Sequence, residues 1–348
     1  MTKKKAAAKS RRKSPTILDV AEAAGVAVGT VSRVINRNGP VSAKAIHAVN
    51  AAIKQLNYQP DAAAQSLRSR NSKVIGCLIP DIANPAFAVL TKAAEQVFRS
   101  AGYNLFIASS DSVKSRELEI LDVFRQRRVD GVLVSVIDER NGLVNDALSA
   151  MGVPIVALDR ELTVDADSIC YTHADGMAAA VEYLFELGHR RIALITGNNQ
   201  ILPTRERIRG YKRAFKHAGV PVDRELIRTG IISEQHGANE GNALLALASP
   251  PTAIIAGANQ ILVGVLRALK HNRRKVKQDV SVISCDDTPV AELTSPAITV
   301  IRRDMAEWGE IGAELLLDRL NEPKRKAATS RKLVLPCELV LRGSCAKR

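Results

Sequence analysis

Hydrophobic residues follow two different rhythms along the chain, and the change between them falls near residue 74. Before that point, short segments repeat apolar residues every three or four positions, which is the spacing of amphipathic helices. After it, unbroken apolar runs alternate with longer amphipathic stretches. Such runs, separated by helices, are typical of parallel strands that are buried on both faces of a sheet. The pattern therefore predicts a small helical module followed by an α/β body.

The start of the helical module has the signals of two helices joined by a tight turn. Thr16 and Asp19 form a variant of the capping box that opens a helix. Gly25 can adopt the left-handed backbone that such a turn requires. A second helix follows, with an apolar stripe on one face and Ser32 and Arg33 on the other. This layout is that of a helix-turn-helix, whose second helix enters the major groove of DNA, and the alternative is an ordinary corner between two helices.

The module is predicted to continue through a third helix and a basic segment. Ser42 caps the third helix, which is predicted to run to about Asn57. Its predicted inward-facing residues are Ile46, Val49, Ile53 and Leu56. Residues 59–73 are polar, rich in Ala and basic. They are either a flexible linker or a hinge that becomes helical only on DNA.

The body is predicted to contain about ten strands, of which seven can be placed. The placed strands are residues 74–80, 104–108, 129–136, 153–159, 191–197, 252–258 and 279–285. The predicted helices between them are residues 86–101, 114–127, 176–187, 205–218 and 259–270. This number of strands is too large for one compact sheet at this length. Two doubly wound α/β lobes are therefore predicted, with a ligand cleft between them at the carboxyl ends of the strands.

Positive charge is concentrated at the amino-terminal end. The 348 residues carry a net charge of +14, and residues 1–73 contain 14 Lys and Arg against 3 Asp and Glu, a net +11. The remainder, with 36 basic and 33 acidic residues, is nearly balanced. A basic module on a nearly neutral body indicates that one end of the chain binds a polyanion. Residues 1–14 are predicted to be a disordered basic arm.

Several classes of protein and site are disfavoured by the sequence. No apolar run reaches the length of about 18 residues needed to span a membrane, and no apolar stretch follows the basic start as it does in a secretory signal. A cytoplasmic protein with no membrane partner is therefore predicted. The five cysteines form no C-x-x-C pair and the six histidines show no metal-ligand spacing, so neither a metal nor a cofactor is predicted. No nucleotide-binding or hydrolase motif occurs, so no catalytic residue is predicted.

Nine short motifs occur in a fixed order along the chain. They are T-I-L-D-V-A (16–21), T-V-S-R-V-I-N (30–36), Y-Q-P-D-A-A-A-Q-S-L-R (58–68), I-P-D-I-A-N-P-A-F (79–87), R-R-V-D-G-V-L-V (127–134), L-G-H-R-R-I-A (187–193), R-I-R-G-Y (207–211), D-V-S-V-I-S-C-D-D (279–287) and L-P-C-E-L-V-L-R-G-S (335–344). In this order they are very specific, and residues 15–344 resemble the lactose-repressor (LacI/GalR) family of transcriptional regulators. The resemblance implies a headpiece, a hinge helix and a periplasmic-binding-protein-like core. It also implies a homodimer that binds double-stranded operator DNA and a small effector.

The resemblance further implies which residues contact DNA. These are Val28, Gly29, Thr30, Ser32, Arg33, Ala64, Leu67 and Arg68. Arg33 is the strongest candidate for reading a base, because an arginine can make a bidentate contact with a guanine edge. Leu67 matches a leucine that wedges into the minor groove and kinks the duplex. The alternative for Leu67 is a minor core residue of the linker.

The implied effector site lies in the core. Its residues are Phe87, Asp159, Arg160, Arg207, Asn259, Asp286 and Arg303. Arg207 and Asp286 are the best candidates, because a guanidinium and a carboxylate each hold paired hydroxyls, although a salt pair between the lobes is the alternative. Three cations against two carboxylates favour a sugar acid or a phosphosugar over a neutral sugar. Ile232 stands near the place where the family often has a stacking aromatic residue, which also weakens the case for a neutral pyranose.

The sequence therefore predicts a DNA-binding transcriptional regulator, most often a repressor in this family, and not an enzyme. Its predicted parts are a basic arm (1–14), a headpiece (15–58), a hinge (59–73) and a two-lobed effector-binding and dimerisation core (74–348). A periplasmic sugar-binding protein would share the core, but the headpiece and the missing secretory signal argue against it. A sugar-metabolising enzyme is the other alternative. No leucine heptad is apparent near the carboxyl end, which favours a dimer over a tetramer formed through such a heptad.

Overall fold

The structure, a computed structural model, describes residues 15–36, 38–59, 71–322 and 329–348. The chain divides into two compact units, residues 1–71 and 72–348. The basic arm and the predicted hinge residues Ala64, Leu67 and Arg68 lie outside the described residues. Within the described part of the chain, no helix is long and apolar enough to cross a membrane.

The described residues of the first unit form three helices. They are α1 (Ile17–Ala24), α2 (Val28–Asn36) and α3 (Ala43–Leu56). The predicted capping box is present, since the Asp19 carboxylate accepts a hydrogen bond from the Thr16 N–H at 2.6 Å and the Thr16 hydroxyl accepts one from the Asp19 N–H. Gly25 ends α1 with a φ of +63°, as predicted for the turn. Ser42 caps α3, with its hydroxyl accepting a hydrogen bond from the Ala45 N–H at 3.3 Å.

The three helices enclose a small apolar core. Its buried residues are Val20, Ala21, Val31, Val49 and Ala52. The prediction that Ile46 faces inwards is wrong, because 41% of this residue is exposed. Ile46 lies in the first turn of α3, whereas the residues of α3 buried in the core, Val49 and Ala52, lie further along the helix. An apolar side chain is thus left on the surface of the headpiece.

The second unit is built on two six-stranded sheets. In chain order, the strands are β1 (Val74–Ile79), β2 (Asn104–Ser109), β3 (Gly131–Val134), β4 (Ile155–Leu158), β5 (Asp167–Tyr171), β6 (Ile192–Gly197), β7 (Ile227–Gly230), β8 (Ala253–Ala256), β9 (Ser281–Cys285), β10 (Thr299–Arg302), β11 (Lys332–Leu335) and β12 (Glu338–Val340). The strand order is β11-β5-β4-β3-β1-β2 in one sheet and β12-β10-β9-β8-β6-β7 in the other. All neighbours are parallel except β10 and β12. The prediction of two doubly wound lobes is confirmed.

Helices cover both faces of each sheet. They are α4 (Pro85–Ser100), α5 (Lys114–Gln126), α6 (Gly142–Ala150), α7 (His173–Glu186), α8 (Leu202–His217), α9 (Glu234–Leu245), α10 (Asn259–His271), α11 (Pro289–Leu293) and α12 (Met305–Asn321), with a short 3-10 helix at Arg224–Leu226. In β1, Cys77 packs on the side of α4 and α12, while Leu78 packs with Leu121 of α5 and Leu148 of α6. Because successive side chains point to opposite faces and both faces are buried, β1 needs an unbroken apolar run.

The described chain crosses between the lobes at three places. It leaves the amino-terminal sheet after β5, returns after β10 to form α12, and crosses again between β11 and β12. Two of these segments are hydrogen-bonded to each other, since the Thr172 N–H donates to the Leu335 carbonyl and the Cys337 N–H donates to the Thr172 hydroxyl, both at 2.9 Å. The connections between the lobes therefore lie side by side, at the place where strands of the two sheets end.

Candidate functional sites

The second helix of the headpiece presents a mostly polar surface. Gly29 and Arg33 are exposed, whereas Val28, Thr30 and Ser32 are half-buried. Val28 also packs against the headpiece core, so only part of its side chain is available to the DNA that the resemblance implies it contacts. The exposed Arg33 guanidinium is the long cationic side chain of this helix, which suits it to reach a base edge or a phosphate.

A cavity lies between the two lobes at the carboxyl ends of the strands. Six of the predicted effector residues line it, namely Phe87, Asp159, Arg160, Arg207, Asp286 and Arg303. Asn259 is not among the residues of its wall. Instead, the Asn259 Nδ2 donates a hydrogen bond to the Oδ1 of Asn84, a wall residue from the opposite lobe, at 2.8 Å. The structure thus brings together, around one cleft, side chains that are far apart in sequence.

Arg303 joins the two lobes across the floor of the cleft. Its Nη1 lies 2.9 Å from the Asp159 carboxylate, and its Nη2 lies 2.6 Å from the Asp286 carboxylate. Its guanidinium also lies 5.2 Å from the ring centre of Tyr171 and 5.5 Å from that of Trp308. Burial alone would lower the pKa of Arg303, but the two carboxylates raise it above its ordinary value. Arg303 is therefore a fully charged bridge that faces inwards.

His173 contacts the Asp159 carboxylate that pairs with Arg303. Its Nε2 lies 2.9 Å and 2.8 Å from the two oxygens of the Asp159 carboxylate. Burial lowers the pKa of His173 to about 4, although Asp159 opposes the shift. Burial alone would raise the pKa of Asp159, but the His173 contact and the neighbouring arginines hold it well below its usual range. At neutral pH a neutral His173 thus donates a hydrogen bond to an ionised Asp159.

Arg160 and Arg207 differ in how their charge is accommodated. Arg160 is buried, and its guanidinium donates hydrogen bonds to the carbonyls of Val136 and Asp159. Arg207 is only 4% exposed, and its Nε has no hydrogen-bond partner among the described residues. The ion pairs at the cleft floor belong to Arg303 and not to Arg207. Arg207 is therefore the cation that is best placed to bind a ligand, because a buried charged donor needs an acceptor.

The structure adds wall residues that the sequence did not identify as site residues. Asp81, Asn84 and Trp308 line the cavity together with Gln260. The Gln260 Nε2 donates to the Asp81 carboxylate at 2.7 Å, which forms a second contact between the lobes. Asp81 and Asn84 lie in the motif that follows β1. Their position at the carboxyl end of a strand could have identified them as wall residues from the sequence. Trp308 could not be identified in this way, because it does not follow a strand of its own lobe. It lies on α12, which comes after β10 of the other lobe.

These additions change two expectations about the ligand. With Asp81, the wall contains three carboxylates beside its three arginines, so the predicted excess of positive charge is absent. Ile232 does line the cavity, as predicted, but Phe87 and Trp308 supply aromatic rings whose centres are 6.3 Å apart. A neutral sugar therefore has apolar ring surface to pack against, and charge alone does not favour an anionic one.

The described residues contain no metal-binding cluster, because no three His, Cys, Asp or Glu side chains are grouped to hold an ion. The cleft offers hydrogen bonds, buried charge and ring surfaces. This set suits the reversible binding of a small polyhydroxylated molecule.

Comparison with known proteins finds matches in both units. Residues 16–61 match the model of the lacI family of bacterial regulatory proteins, and residues 181–345 match that of a periplasmic binding protein-like domain. The HTH-type transcriptional regulator DegA of Bacillus subtilis is 33% identical, over 94% of this chain and 97% of its own length. The ribose operon repressor of Escherichia coli K12 is 34% identical, over 94% of this chain and 99% of its own.

Solved structures show the same likeness. The Lac repressor dimer bound to operator and to the anti-inducer ONPF matches with a TM-score of 0.82 and 29% identity, over 96% of this chain and 100% of that one. A LacI family regulator from Enterococcus faecium with bound ribose matches with a TM-score of 0.71 and 27% identity, over 79% of this chain and 99% of that one.

Proposed function

This chain belongs to the lacI family of bacterial regulatory proteins, and we propose that a small sugar-like effector bound between its lobes controls its affinity for operator DNA. It is a DNA-binding transcriptional regulator whose headpiece carries the helix-turn-helix. The relatives described above are named as regulators or repressors rather than enzymes. We therefore assign it a binding function in the cytoplasm, where the DNA lies, and no catalytic step.

On the DNA side, α2 enters the major groove, with Arg33 contacting a base and Thr30 and Ser32 close to phosphates. The Lac repressor structure that this chain resembles is a dimer on its operator. A homodimer of this chain would place two headpieces on a pseudo-palindromic site. Leu67 would then insert into the minor groove between the two half-sites.

On the effector side, the observation that carries the proposal is Arg207. Its guanidinium is buried in the wall of the cleft, and its Nε is without a hydrogen-bond partner among the described residues. A pair of hydroxyls, a carboxylate or a phosphate would supply an acceptor to this guanidinium through charge-assisted hydrogen bonds. Phe87 and Trp308 would pack against the apolar face of the same ligand.

The test begins with thermal-shift screening of neutral sugars, their acids and their phosphates. Calorimetry on each hit then compares the members of a pair, and operator selection is repeated with and without the hit. Arg207→Ala should abolish effector binding while it leaves DNA binding intact. Arg209→Ala is the matched control, because this side chain lies on the same helix and is 67% exposed. Unchanged effector affinity in Arg207→Ala would refute the assignment of this residue.

A further inference from the structure

Glu139 connects the lobes outside the wall of the effector cleft. It lies in the loop after β3, and it is completely buried. Its Oε2 accepts hydrogen bonds from the backbone N–H of Glu161 in the amino-terminal lobe and of Leu202 in the carboxy-terminal lobe, each at 3.1 Å. Its Oε1 forms a close ion pair with Arg205. One carboxylate is thus held by donors from both lobes.

The contact with Leu202 satisfies a need of helix α8. The first amides of a helix lack partners within the helix, and its amino-terminal end attracts negative charge. The residue that precedes α8, Ile201, has no side chain able to cap it. Glu139 supplies both the acceptor and the charge from the opposite lobe. The Leu202 amide therefore has this charged acceptor only while the two lobes are together.

The same helix carries the effector arginine. Arg207 lies in the second turn of α8, and Ile201 and Pro203 at its beginning also line the cavity. A change in the position of the first turn of α8 would therefore move part of the cavity wall. Glu139 is completely buried and does not line the cavity, so its effect on the ligand is exerted through the position of α8.

We propose that Glu139 is a positioning residue that latches the lobes together by capping α8 and thereby fixes the placement of Arg207. Its effect on effector binding rests on the function proposed above. The latch itself does not, because its contacts join residues of the protein to one another. Replacement of Glu139 should open the cleft in the free protein and should weaken effector binding as a result.

The chain offers a matched control in Glu161. Its carboxylate also pairs with Arg205, at 3.3 Å, and with Lys332, at 2.7 Å. Its side chain is 45% exposed, and exposed ion pairs of this kind contribute little. Glu161→Ala therefore removes a carboxylate from the same arginine but leaves the cap on α8 in place.

Trp308 provides the readout, because it is the single tryptophan of the chain, it lines the cleft and it is 2% exposed. We would measure acrylamide quenching of its fluorescence in the full-length, ligand-free protein. Glu139→Ala should raise the quenching constant at least twofold, Glu139→Gln should raise it less, and Glu161→Ala should leave it unchanged. The measurements belong well below the unfolding temperature of each variant.

A merely structural role would lower the thermal midpoint of Glu139→Ala and leave the quenching constant at the wild-type value, and this result would overturn the proposal. An equal increase in Glu139→Ala and Glu161→Ala would also overturn it, because the cap would then not be the cause. If the wild type binds no sugar, sugar acid or phosphosugar, the proposed effector function fails, but the comparison of quenching constants still decides the latch.

Discussion

Asp159 and Asp286 occupy equivalent positions in the two lobes and bind the same side chain, Arg303. Asp159 follows β4 and Asp286 follows β9, each the third strand of its sheet. Both have a left-handed backbone, with φ of +57° and +73°. Each backbone N–H donates to the neighbouring strand, to Ile169 at 2.7 Å and to Ile301 at 3.0 Å. One guanidinium thus pairs with one carboxylate from each lobe, so both ion pairs of Arg303 are complete only when the cleft is closed.

Removal of this guanidinium should be costly. Arg303→Ala leaves two buried carboxylates without their shared cation, and breaking such a buried pair costs roughly 3–5 kcal/mol. The free energy of unfolding, measured by urea denaturation, should fall by about that amount. Arg302→Ala is the neighbouring control, since Arg302 is exposed and pairs with the exposed Glu338. Similar stabilities for the two variants would show that the buried ion pairs of Arg303 do not stabilise the fold.

Arg33 should determine sequence preference at the operator. Arg33→Ala removes one guanidinium from each half-site, which should cost roughly 1–3 kcal/mol per contact and relax the preference at one base pair. The affinity for selected and for random duplexes is measured by fluorescence anisotropy at several salt concentrations. Lys54→Ala, an exposed change on α3, serves as the control. Equal losses on selected and random DNA would contradict a base-reading role for Arg33.

The wild-type complex should be strongly sensitive to salt. A dimer that neutralises six or more phosphates gives a slope of roughly −5 or steeper in a plot of log affinity against log salt concentration. A slope near zero on the selected operator would be incompatible with binding through the basic headpiece.

Leu67 should affect the shape of the bound DNA. An apolar wedge unstacks bases and bends the duplex, so Leu67→Ala should reduce bending and specific affinity while non-specific affinity persists. Bending is measured by energy transfer between the ends of a labelled operator. Unchanged bending in this variant would exclude the wedge.

Glu117 should give the protein a distinctive pH dependence. Burial raises its pKa to about 7 from an ordinary 4.5, although its Oε1 accepts a hydrogen bond from the Ile137 N–H at 2.8 Å. Between these two values the unfolded chain has lost the proton that the folded protein keeps. Stability is therefore lost as the pH rises from about 4.5 to 7, by up to roughly 3 kcal/mol.

Glu117→Gln removes the titration. Its free energy of unfolding relative to the wild type should increase as the pH rises through this window and should level off above it. Glu119→Gln, an exposed change on the same helix, should show no such trend. Parallel curves for the wild type and Glu117→Gln would mean that the buried carboxyl group does not titrate in this range.

The sequence predicted the buried strands well because each carries an unbroken apolar run, as in β1 and β9. It did not place β5, whose first residue, Asp167, is charged and completely buried. The Asp167 carboxylate is held by Arg319 and Arg331, which lie 152 and 164 residues further along the chain. No local pattern shows such a pair. Strand β11 was missed for another reason, since it is a short edge strand that is largely exposed.

The candidate site also has a part that the sequence predicts and a part that it does not. The charged wall residues follow predictable strand ends, and the resemblance to the family added Arg207. The sequence does not show which side chain pairs with Gln260, because its partner Asp81 lies 179 positions earlier and the two meet only in the folded protein. The role of Glu139 could not be predicted from the sequence either. Its three donors are two backbone amides and one arginine, and only the folded lobes bring them together.

The three crossings between the lobes have a consequence for how this protein is made. Helix α12 and strand β11 complete the amino-terminal lobe, yet they are synthesised after nearly all of the carboxy-terminal lobe. During translation, the surface of α4 in the amino-terminal lobe therefore stays uncovered until residues 305–335 have left the ribosome. Contacts of such long sequence separation also slow folding. The order of translation therefore leaves this lobe exposed to chaperones and to aggregation until the chain is almost complete.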